Sequence, residues 1–518
     1  MTKLSRRETL RLMSLGAGAA LLAACQTAAG PSSTPASTRL EQAKPGGRLR
    51  IGRSDDLVTT DGMFFQSNTL GTTYGTVYER LIDYDDQLNP LPMLAESWQF
   101  SEDATQLKFK LRLGAQWHSG GAFTSADVKW SLERIADPKA GGGQWLRFSN
   151  WFRSIETPDA STVTLNLDAP RPTALDLFAQ LNMVEQTAIN APNSGTTAVG
   201  TGPFSLQEWR QGESLTFNKN KNYWLVGRPL LDAVEISITN DAAALSVRLE
   251  SGALEAISDP PLRDLARLKD DPNYGVVLTR PGFYSLGVNT FPPGANPLLA
   301  DKRVRQALNM AIDRQRFGQS VLLGLSEPWN LPWPTYSEAY EPAKQSVTAF
   351  SLDNARALLD QAGVSSGEID VMYRSTDNEL SKFVQIYQAD LAKIGITLNI
   401  KPLEAPAFAS AQRSRQYQLQ ANSTASAQYH PNTLFYFDGG IGRYFGGVDQ
   451  ATVDAVSSET DPAKRRQLYS RMNDFILDQS LDMTFGQTQR ALVFPKRVRG
   501  LSRGINQVTG YTNAWLAA

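Results

Sequence analysis

The stretch Leu107-Lys-Phe-Lys-Leu-Arg-Leu-Gly-Ala-Gln-Trp-His118 begins with apolar and polar side chains in alternation. Alternation of this kind is typical of a β-strand that buries one face. The segment Thr124-Ser-Ala-Asp127 follows, and it resembles a capping box with Asp in place of Glu. It predicts a helix that runs through Ile135. A strand followed by a helix is a building unit of α/β folds.

Strands and helices continue to alternate along the chain from Gly46 onward. The strand period predicts further strands at 48–54, 162–167, 233–240, 284–290, 368–374 and 396–401. Helical spacing and capping patterns predict helices at 304–312, 351–362 and 380–394, and one that begins at Asp461-Pro462. About 450 residues of alternation exceed one sheet domain, so we expect at least two α/β lobes. Two lobes that close over a cleft can trap a solute.

The composition excludes several classes of function. With 51 Lys and Arg against 52 Asp and Glu, the chain lacks the basic excess that nucleic-acid binding requires, so we expect no nucleic-acid partner. One cysteine and two histidines exclude a disulfide scaffold and Cys-based zinc sites. We therefore predict no metal site in the protein and no cofactor. A metal chelate whose binding His430 assists stays an open alternative.

The first 24 residues are typical of an export signal. Cations that include Arg6 and Arg7 precede an apolar run at 12–24, which is shorter than the ~20 residues that span a membrane. The run ends in Leu22-Ala-Ala-Cys25, which resembles a bacterial lipobox and predicts cleavage before Cys25 and lipid on its thiol. Arg6 and Arg7 resemble the twin-arginine export motif. Thr9 stands where an aromatic residue is commoner, so the twin-arginine and general export routes both stay open.

Residues 25–45 are predicted to form a lipid anchor and a flexible tether rich in Ala, Ser, Thr and Pro. Cleavage before Cys25 would leave 47 Lys and Arg against 51 Asp and Glu, a formal charge of −4. No later apolar run approaches 18 residues. We therefore expect a folded body in the periplasm that lipid on Cys25 tethers to a membrane. The sequence does not decide which membrane holds the anchor.

Several segments, in one consistent order along 46–504, match the pattern of a known family. They include Tyr78-Glu-Arg-Leu-Ile-Asp-Tyr-Asp85, Pro92-Met-Leu-Ala-Glu-Ser-Trp98, the stretch 107–128, Gly200-Thr-Gly-Pro-Phe204, and the segments 289–314, 461–479 and 492–500. Together they resemble the cluster C extracytoplasmic solute-binding proteins of ABC importers. This is bacterial extracellular solute-binding family 5, with oligopeptide-, dipeptide- and nickel-binding members.

The resemblance implies an α/β fold of the two-lobed periplasmic-binding-protein kind (type II, cluster C). It implies mixed sheets, an extra subdomain in lobe one and a two-strand hinge. Lobe one would span 46–283, lobe two 284–487, and 488–518 would return to lobe one. The hinge strands are expected near 282–287 and 484–489.

The resemblance also points to a ligand site. In peptide-binding relatives, an Asp in lobe two holds the peptide's α-ammonium group shortly before an Asp-Pro pair. Alignment on Pro431 places Ala427 where that Asp should be, and His430 in the pair. A buried ammonium group without a carboxylate would be costly. The usual peptide-binding mode is therefore in doubt unless Asp377 or Glu379 substitutes.

Neutral hydrogen-bonding groups and aromatic side chains suit a sugar-like or polyhydroxylated solute, or a sugar–amino-acid conjugate. The family resemblance keeps a peptide-class solute open as well. Candidate aromatics are Trp145, Trp151, Trp329 and Trp333, although such residues are more often core. Arg443 is a candidate clamp for an anionic group. The predicted ligand-binding residues are Thr60, Asp61, Tyr284, Tyr373, Ser426, Gln428, Tyr429, His430 and Arg443.

The predicted function is capture of a small solute by a monomeric lipoprotein and delivery to the ABC permease subunits in the inner membrane, without catalysis. Two alternatives stay open. One is a lipoprotein serine hydrolase, because Gly500-Leu-Ser-Arg-Gly504 matches the nucleophile-elbow pattern at Ser502. It is the weaker one, because the 16 residues after Ser502 hold no His, Asp or Glu. The other is a chemosensory or chaperone-like binding protein without a transporter.

Overall fold

The computed structural model of the chain describes residues 43–63, 68–137, 146–239, 241–278, 282–346, 348–424, 431, 450–488, 490–504 and 509–517. The contacts below lie within the unit that runs from Lys44 to Ala518. Several predicted residues lie outside the described residues, and they are Arg6, Arg7, Cys25, Trp145, Ser426, Ala427, Gln428, Tyr429, His430 and Arg443.

The largest sheet draws strands from both ends of the chain. Its order is β12 (Tyr274–Leu278), β18 (Ala491–Pro495), β11 (Ala256–Ser258), β1 (Arg48–Arg53), β10 (Ala233–Ile238), β9 (Ser214–Lys219) and β8 (Phe204–Arg210). Strand β1 runs parallel to β10 and β11, and the other pairs are antiparallel. Helices α5 (Ala242–Glu250) and α6 (Leu262–Lys269) connect β10, β11 and β12. We call the part of the protein that is built on this sheet lobe one.

A smaller antiparallel sheet is inserted in the sequence after β1. Its order is β4 (Ala95–Phe100), β5 (Gln106–Leu111), β7 (Thr162–Leu167) and β6 (Phe152–Asp159). Trp98 pairs with Phe109 across β4 and β5, and Phe109 is fully buried. Apolar residues of this sheet share one core with Leu49 and Ile51 of β1 and with Leu492 of β18. The small sheet is therefore a part of lobe one.

Lobe two is built on a second mixed sheet. The strand order is β15 (Ile396–Leu403), β14 (Gly367–Arg374), β16 (Leu419–Thr424), β13 (Phe283–Val288) and β17 (Asp482–Gln487). Strands β14, β15 and β16 are parallel to one another, and β13 runs antiparallel to β16 and β17. A second large core covers this sheet and includes Val304, Leu308, Phe383 and Met483.

Further helices and short strand pairs complete the described chain. The helices are α1 (Asn68–Val77), α2 (Ser125–Arg134), α3 (Leu175–Phe178), α4 (Gln186–Ile189), α7 (Lys302–Met310), α8 (Arg314–Arg316), α9 (Leu352–Gln361), α10 (Asn378–Lys393), α11 (Ala405–Arg413), α12 (Gln450–Ser458) and α13 (Pro462–Gln479). The strand pairs are β2 (Ile82–Tyr84) with β3 (Pro90–Pro92), β19 (Val498–Arg499) with β22 (Trp515–Leu516), and β20 (Ser502–Arg503) with β21 (Thr509–Gly510).

The elements predicted from the sequence are confirmed. Each predicted strand is present, and its ends differ by no more than two residues from those observed. The backbone NH of Thr124 donates to the Asp127 carboxylate at 2.7 Å, as a capping box requires at the start of α2. The Asp461 side chain accepts from the backbone NH of Ala463, and Pro462 occupies the first turn of α13. Local sequence patterns are therefore sufficient to predict whether each of these segments forms a strand or a helix.

A buried carboxylate joins two of the segments that carried the family resemblance. Glu79 is 2 % exposed, and it accepts hydrogen bonds from Thr201 Oγ1 at 2.9 Å, the Tyr223 hydroxyl at 2.7 Å and Trp224 Nε1 at 2.9 Å. Next to Thr201, a Cβ on Gly202 would lie 2.6 Å from the Val77 carbonyl oxygen. Close backbone packing therefore requires this glycine, and it brings Thr201 within reach of Glu79.

Candidate functional site

The parallel strands of lobe one end where the chain crosses between the lobes. Strand β18 begins just after the crossing segment at 488–490, and it pairs antiparallel with β11 through Ser258 and Leu492. The carboxyl end of β11 therefore lies at the crossing. Strands β1 and β10 run parallel to β11, so they end at the same edge.

The parallel strands of lobe two end at the same crossing. Strand β13 begins there, and Phe283 at its start pairs with Thr424 at the carboxyl end of β16. Strands β14 and β15 run parallel to β16 and end at that edge too. The carboxyl edges of both sheets thus lie at the region where the chain passes between the lobes, which we call the lobe junction.

The two crossing segments are hydrogen-bonded to each other. The backbone NH of Thr488 donates to the Gly282 carbonyl oxygen, and the Gly282 NH donates to Thr488 Oγ1, both at 2.9 Å. The ladder continues in lobe two from Phe283 and Gln487. Neighbouring crossovers of this kind allow the lobes to move as units about a short, paired connection.

Each sheet also has a topological switch point at the lobe junction. In lobe two, the chain leaves β14 toward β15 on one side, whereas it leaves β16 toward β17 on the other. In lobe one, the chain leaves β1 toward β8, β9 and β10, whereas it leaves β11 toward β12. Open α/β sheets bind ligands outside the carboxyl ends of strands at such points. The ends of β1, β11, β14 and β16 are therefore the candidate site.

The structure places two predicted ligand residues, Tyr284 and Tyr373, near the lobe junction. The Tyr284 ring stacks on Phe485, with ring centroids 6.0 Å apart, and meets Phe317 edge-on at 5.4 Å. Burial, and then the nearby carboxylates of Glu379 and Asp377, raise the pKa of Tyr284. The Tyr373 hydroxyl lies 3.2 Å from Ser381 Oγ in the first turn of α10. Both side chains are mostly buried.

Two carboxylates lie at the start of α10, just after β14. Asp377 caps the helix by accepting from the backbone NH of Leu380 at 3.1 Å, and Glu379 lies in the first turn. Burial raises the pKa of Asp377, partly offset by that hydrogen bond. These two acids are the predicted substitutes for the missing ammonium-binding Asp. Because they follow β14, they lie at the lobe junction.

An ionic cluster occupies the lobe-one side of the junction. Asp259 follows β11 and accepts from Arg503 Nη1 at 3.3 Å, from Arg490 Nη1 at 3.4 Å and from the backbone NH of Ala491 at 3.1 Å. Burial alone would raise the pKa of Asp259, but the two guanidinium groups hold it below its ordinary value. Arg490 also lowers the pKa of Asp377 electrostatically, so groups of both lobes influence one another across the junction.

The other predicted residues of lobe one are engaged within that lobe. Thr60 is 1 % exposed and its hydroxyl donates to the Ser194 carbonyl oxygen. Asp61 forms a two-point ion pair with Arg134, with Nη1 and Oδ1 3.1 Å apart. Their role in binding a solute stays a prediction, and their polar atoms already serve the loop that follows β1.

The remaining predicted ligand residues lie outside the described residues. Ser426, Gln428, Tyr429 and His430 follow Thr424, the last residue of β16, and Arg443 lies further along the same segment. Their proximity in sequence to the end of β16 agrees with the position of the lobe-two switch point. Three of the candidate aromatic platforms are buried instead, since Trp151, Trp329 and Trp333 pack in the two cores.

Sequence reasoning missed Arg53, the last residue of β1. Its side chain is only 2 % exposed, and it lies on the same buried face as Leu49 and Ile51, whereas Arg48 and Arg50 point to solvent. The strand period already carried this signal, because residues 49, 51 and 53 share one face. Arg53 thus adds a buried cation at the lobe-one switch point.

Other candidate chemistries receive little support from the structure. Ser502 is exposed on a two-residue strand, and in the described residues after it no helix follows, although the nucleophile elbow needs one. His118 Nε2 bonds the Gly202 carbonyl oxygen at 2.9 Å and burial lowers its pKa, so it serves packing. No group of three or more possible metal ligands occurs among the residues that the structure describes. In the described part of the chain, no helix has the length and apolar character needed to cross a membrane.

Two α/β lobes with a paired crossing and facing carboxyl edges define the class of periplasmic solute-binding proteins. The family model of bacterial extracellular solute-binding proteins, family 5, matches residues 89–443. The chain is 26% identical over 421 residues to heme-binding protein A of Haemophilus influenzae, covering 75% of this chain and 76% of that one. It is 27% identical over 411 residues to the dipeptide-binding protein of Escherichia coli K12, covering 72% and 76%.

A solved structure agrees with these relatives. The binding protein AgaA of A. tumefaciens R10, in complex with agropinic acid, is 26% identical, with a TM-score of 0.79 over 91% of this chain and 99% of that one. The chain belongs to bacterial extracellular solute-binding family 5. It is a solute-binding protein of the kind that serves ABC importers, and the two-lobed fold and the family predicted from the sequence are confirmed.

Proposed function

We propose that the protein is a periplasmic lipoprotein that captures a small solute at the lobe junction and delivers it to the permease subunits of an ABC importer. The observation that carries the proposal is the meeting of both carboxyl edges, each with a switch point, at one paired crossing. Family membership supports delivery to an ABC permease, and the predicted lipobox supports the lipid anchor.

The proposed solute is a peptide-class molecule or a sugar–amino-acid conjugate. The names of two relatives support this class, since one binds dipeptides and AgaA was solved with agropinic acid. Asp377 and Glu379 would attract an ammonium group of the solute. Tyr284, Tyr373 and the segment 426–430 would supply neutral hydrogen-bonding groups.

Lobe one would comprise 46–283 and 488–518, and lobe two 284–487. The pair formed by Gly282 and Thr488 would act as part of the hinge. Solute would stabilise the closed arrangement by contacting both lobes at once, which shifts a pre-existing equilibrium. The protein would act as a monomer and would catalyse no reaction, because the permease's ATPase supplies the work.

Membrane attachment is tested by Cys25→Ser, with Thr27→Ser as the matched control. We expect wild type and the control to carry the mass of added lipid and Cys25→Ser to lack it, since Cys25 is the only cysteine in the chain. Arg6→Lys with Arg7→Lys tests the export route. Retention of this double variant in the cytoplasm would indicate the twin-arginine route. Wild type that carries no lipid on Cys25 would contradict the anchor.

Solute capture is tested by native mass spectrometry of the protein purified from the periplasm. We expect a bound small molecule at a ratio of one to one, and the released compound should raise the melting temperature of the dialysed protein. Peptides, sugars and sugar–amino-acid conjugates would be tested in parallel. If no solute is bound and none of these classes shifts the melting temperature, the proposed function fails.

A further inference from the structure

The Arg53 guanidinium is buried and only partly hydrogen-bonded. Nη1 donates to Thr73 Oγ1 of α1. Nε and Nη2 have no hydrogen-bond partner among the described residues, although both atoms are shielded from solvent. A guanidinium carries five N–H donors and stays protonated in proteins. Most of the donor capacity of Arg53 is therefore unused.

Burying a cation in this way is costly. More than nine in ten buried polar groups have a hydrogen-bond partner, and a buried charge without one is rarer still. Asp55 and Asp56 attract Arg53 electrostatically, but neither bonds it. The Asp56 carboxylate instead accepts from Trp209 Nε1 at 3.0 Å and from the backbone NH of Gly212 at 2.7 Å. Burial consequently lowers the pKa of Arg53.

Two other buried arginines, Arg305 and Arg314, have a described acceptor for each nitrogen of the guanidinium. Arg305 Nε donates to the Gln479 carbonyl oxygen at 2.8 Å, and its Nη1 donates to the carbonyl oxygens of Leu299 and Ala300, both at 2.9 Å. Arg314 Nε, Nη1 and Nη2 all donate to described acceptors. Arg80 Nε also lacks a hydrogen-bond partner among the described residues, but Arg80 pairs with the Asp83 carboxylate, whereas the described partner of Arg53 is a neutral hydroxyl.

The position of Arg53 in the fold points to a ligand. It ends β1 at the lobe-one switch point, beside the carboxyl end of β11. Ligands of open α/β sheets bind at this place. The two unused groups, Nε and Nη2, lie on one side of the planar guanidinium, where they can donate to both oxygens of one carboxylate. Burial would keep water from competing for these donors.

We propose that Arg53 anchors a carboxylate of the captured solute by two parallel hydrogen bonds from Nε and Nη2. The inference rests on the proposed function, because it assigns a residue and a chemical group to the same site. It adds an anion subsite in lobe one to the acids Asp377 and Glu379 in lobe two. A solute with a carboxylate at one end and an ammonium group at the other would bridge the lobes.

The test compares acids with their amides on the dialysed full chain. The probes are propionate against propionamide, and alanyl-alanine against alanyl-alanine amide, titrated to about 100 mM and followed by melting temperature and tryptophan fluorescence. Wild type should bind an acid about 10- to 100-fold more tightly than its amide, as expected for a two-point contact to a charged group. Arg53→Met should lose this preference and bind acid and amide alike.

Two further variants separate binding from folding. Arg53→Lys keeps the charge without the planar fork, so it should retain part of the preference for the acid. Arg210→Met removes an exposed arginine paired with Glu208 and should leave binding unchanged. Circular dichroism verifies the fold of each variant, and Arg53→Lys carries the test if Arg53→Met does not fold.

The outcomes separate this inference from the proposed function. Wild type that shows no difference between acids and amides, or Arg53→Met that retains the difference, overturns the carboxylate anchor. If native mass spectrometry still finds a bound solute in that case, the receptor function stands and only the anchor fails. A crystal structure with water alone on Nε and Nη2, from crystals grown in the presence of alanyl-alanine, would also overturn it.

Discussion

Arg53 in lobe one and Arg314 in lobe two are both buried arginines, but the fold treats them differently. Arg314 is 5 % exposed, and its guanidinium donates to the carbonyl oxygens of Trp329 and Thr484 and to Asn309 Oδ1, among other acceptors. Arg53 is buried even more completely, and among the described residues its one hydrogen-bond partner is Thr73. Every guanidinium nitrogen of Arg314 therefore has an acceptor inside lobe two, whereas two of the three in Arg53 have none among the described residues at the lobe junction.

The difference indicates where the fold serves stability and where it serves binding. Arg314 ties a helix start to strand β17 and to the loop at 329–348, so its bonds hold lobe two together. Burial lowers the pKa of Arg314 to about 9, and the nearby Tyr387 hydroxyl offsets this shift in part. Functional sites often keep groups that are poorly satisfied until a ligand arrives.

The largest loss of stability is expected for Arg314→Met. The change leaves several buried carbonyl oxygens and Asn309 without their donor, and we expect the free energy of unfolding to fall by about 3–5 kcal/mol. Urea unfolding followed by circular dichroism measures it. A loss below about 1 kcal/mol would contradict a structural role for Arg314.

Glu79→Gln tests whether hydrogen bonds to a buried charge stabilise lobe one as well. The amide would turn an NH₂ group toward the Tyr223 hydroxyl, Trp224 Nε1 or Thr201 Oγ1, where the carboxylate only accepts. We expect a loss of about 2–3 kcal/mol by urea unfolding. Thr105→Ser keeps the hydroxyl that donates to Asp103 and should leave stability unchanged. An equally small effect for both would mean that the Glu79 cluster contributes little.

The carboxylate of Asp482 in β17 should make the stability of the protein depend on pH. Burial raises its pKa to about 6, partly offset by its hydrogen bond with Ser285. The folded chain therefore binds a proton more tightly than the unfolded chain, so stability should fall as pH rises from about 4 to 6, by roughly 2 kcal/mol. Asp482→Asn should remove that part of the slope. An unchanged slope in unfolding curves across this range would contradict the shift.

The smallest effect on folding is expected for Arg53→Met. Removal of a poorly satisfied buried cation should leave the free energy of unfolding of the solute-free protein within about 1 kcal/mol of wild type, or raise it. Urea unfolding beside Arg314→Met measures the difference. A loss as large as that of Arg314→Met would show that Arg53 is structural.

The sequence predicts the elements well because period and capping are local. The helix that begins at Thr124 and the strand that ends at Arg374 follow from neighbouring residues alone. Side-chain partners are set by distant parts of the chain. Asp61 was predicted to bind solute, yet it pairs with Arg134, which is 73 residues away. No local pattern reveals such a pair.

The candidate site is predictable only in part for the same reason. The family resemblance and the strand ends point to the region of Tyr284 and Tyr373. The strand period places Arg53 on the buried face of β1, but the missing partners of its guanidinium depend on α1 and on the loops around β1. Whether a buried charge is satisfied is a property of tertiary packing, and sequence patterns do not report it.

The most direct test of the account is a calorimetric titration with the solute that native mass spectrometry recovers. Wild type is predicted to bind it at one site per chain, and Arg53→Met to bind it at least about 10-fold more weakly while unfolding at an undiminished urea concentration. Absence of saturable binding to wild type would contradict the receptor function itself.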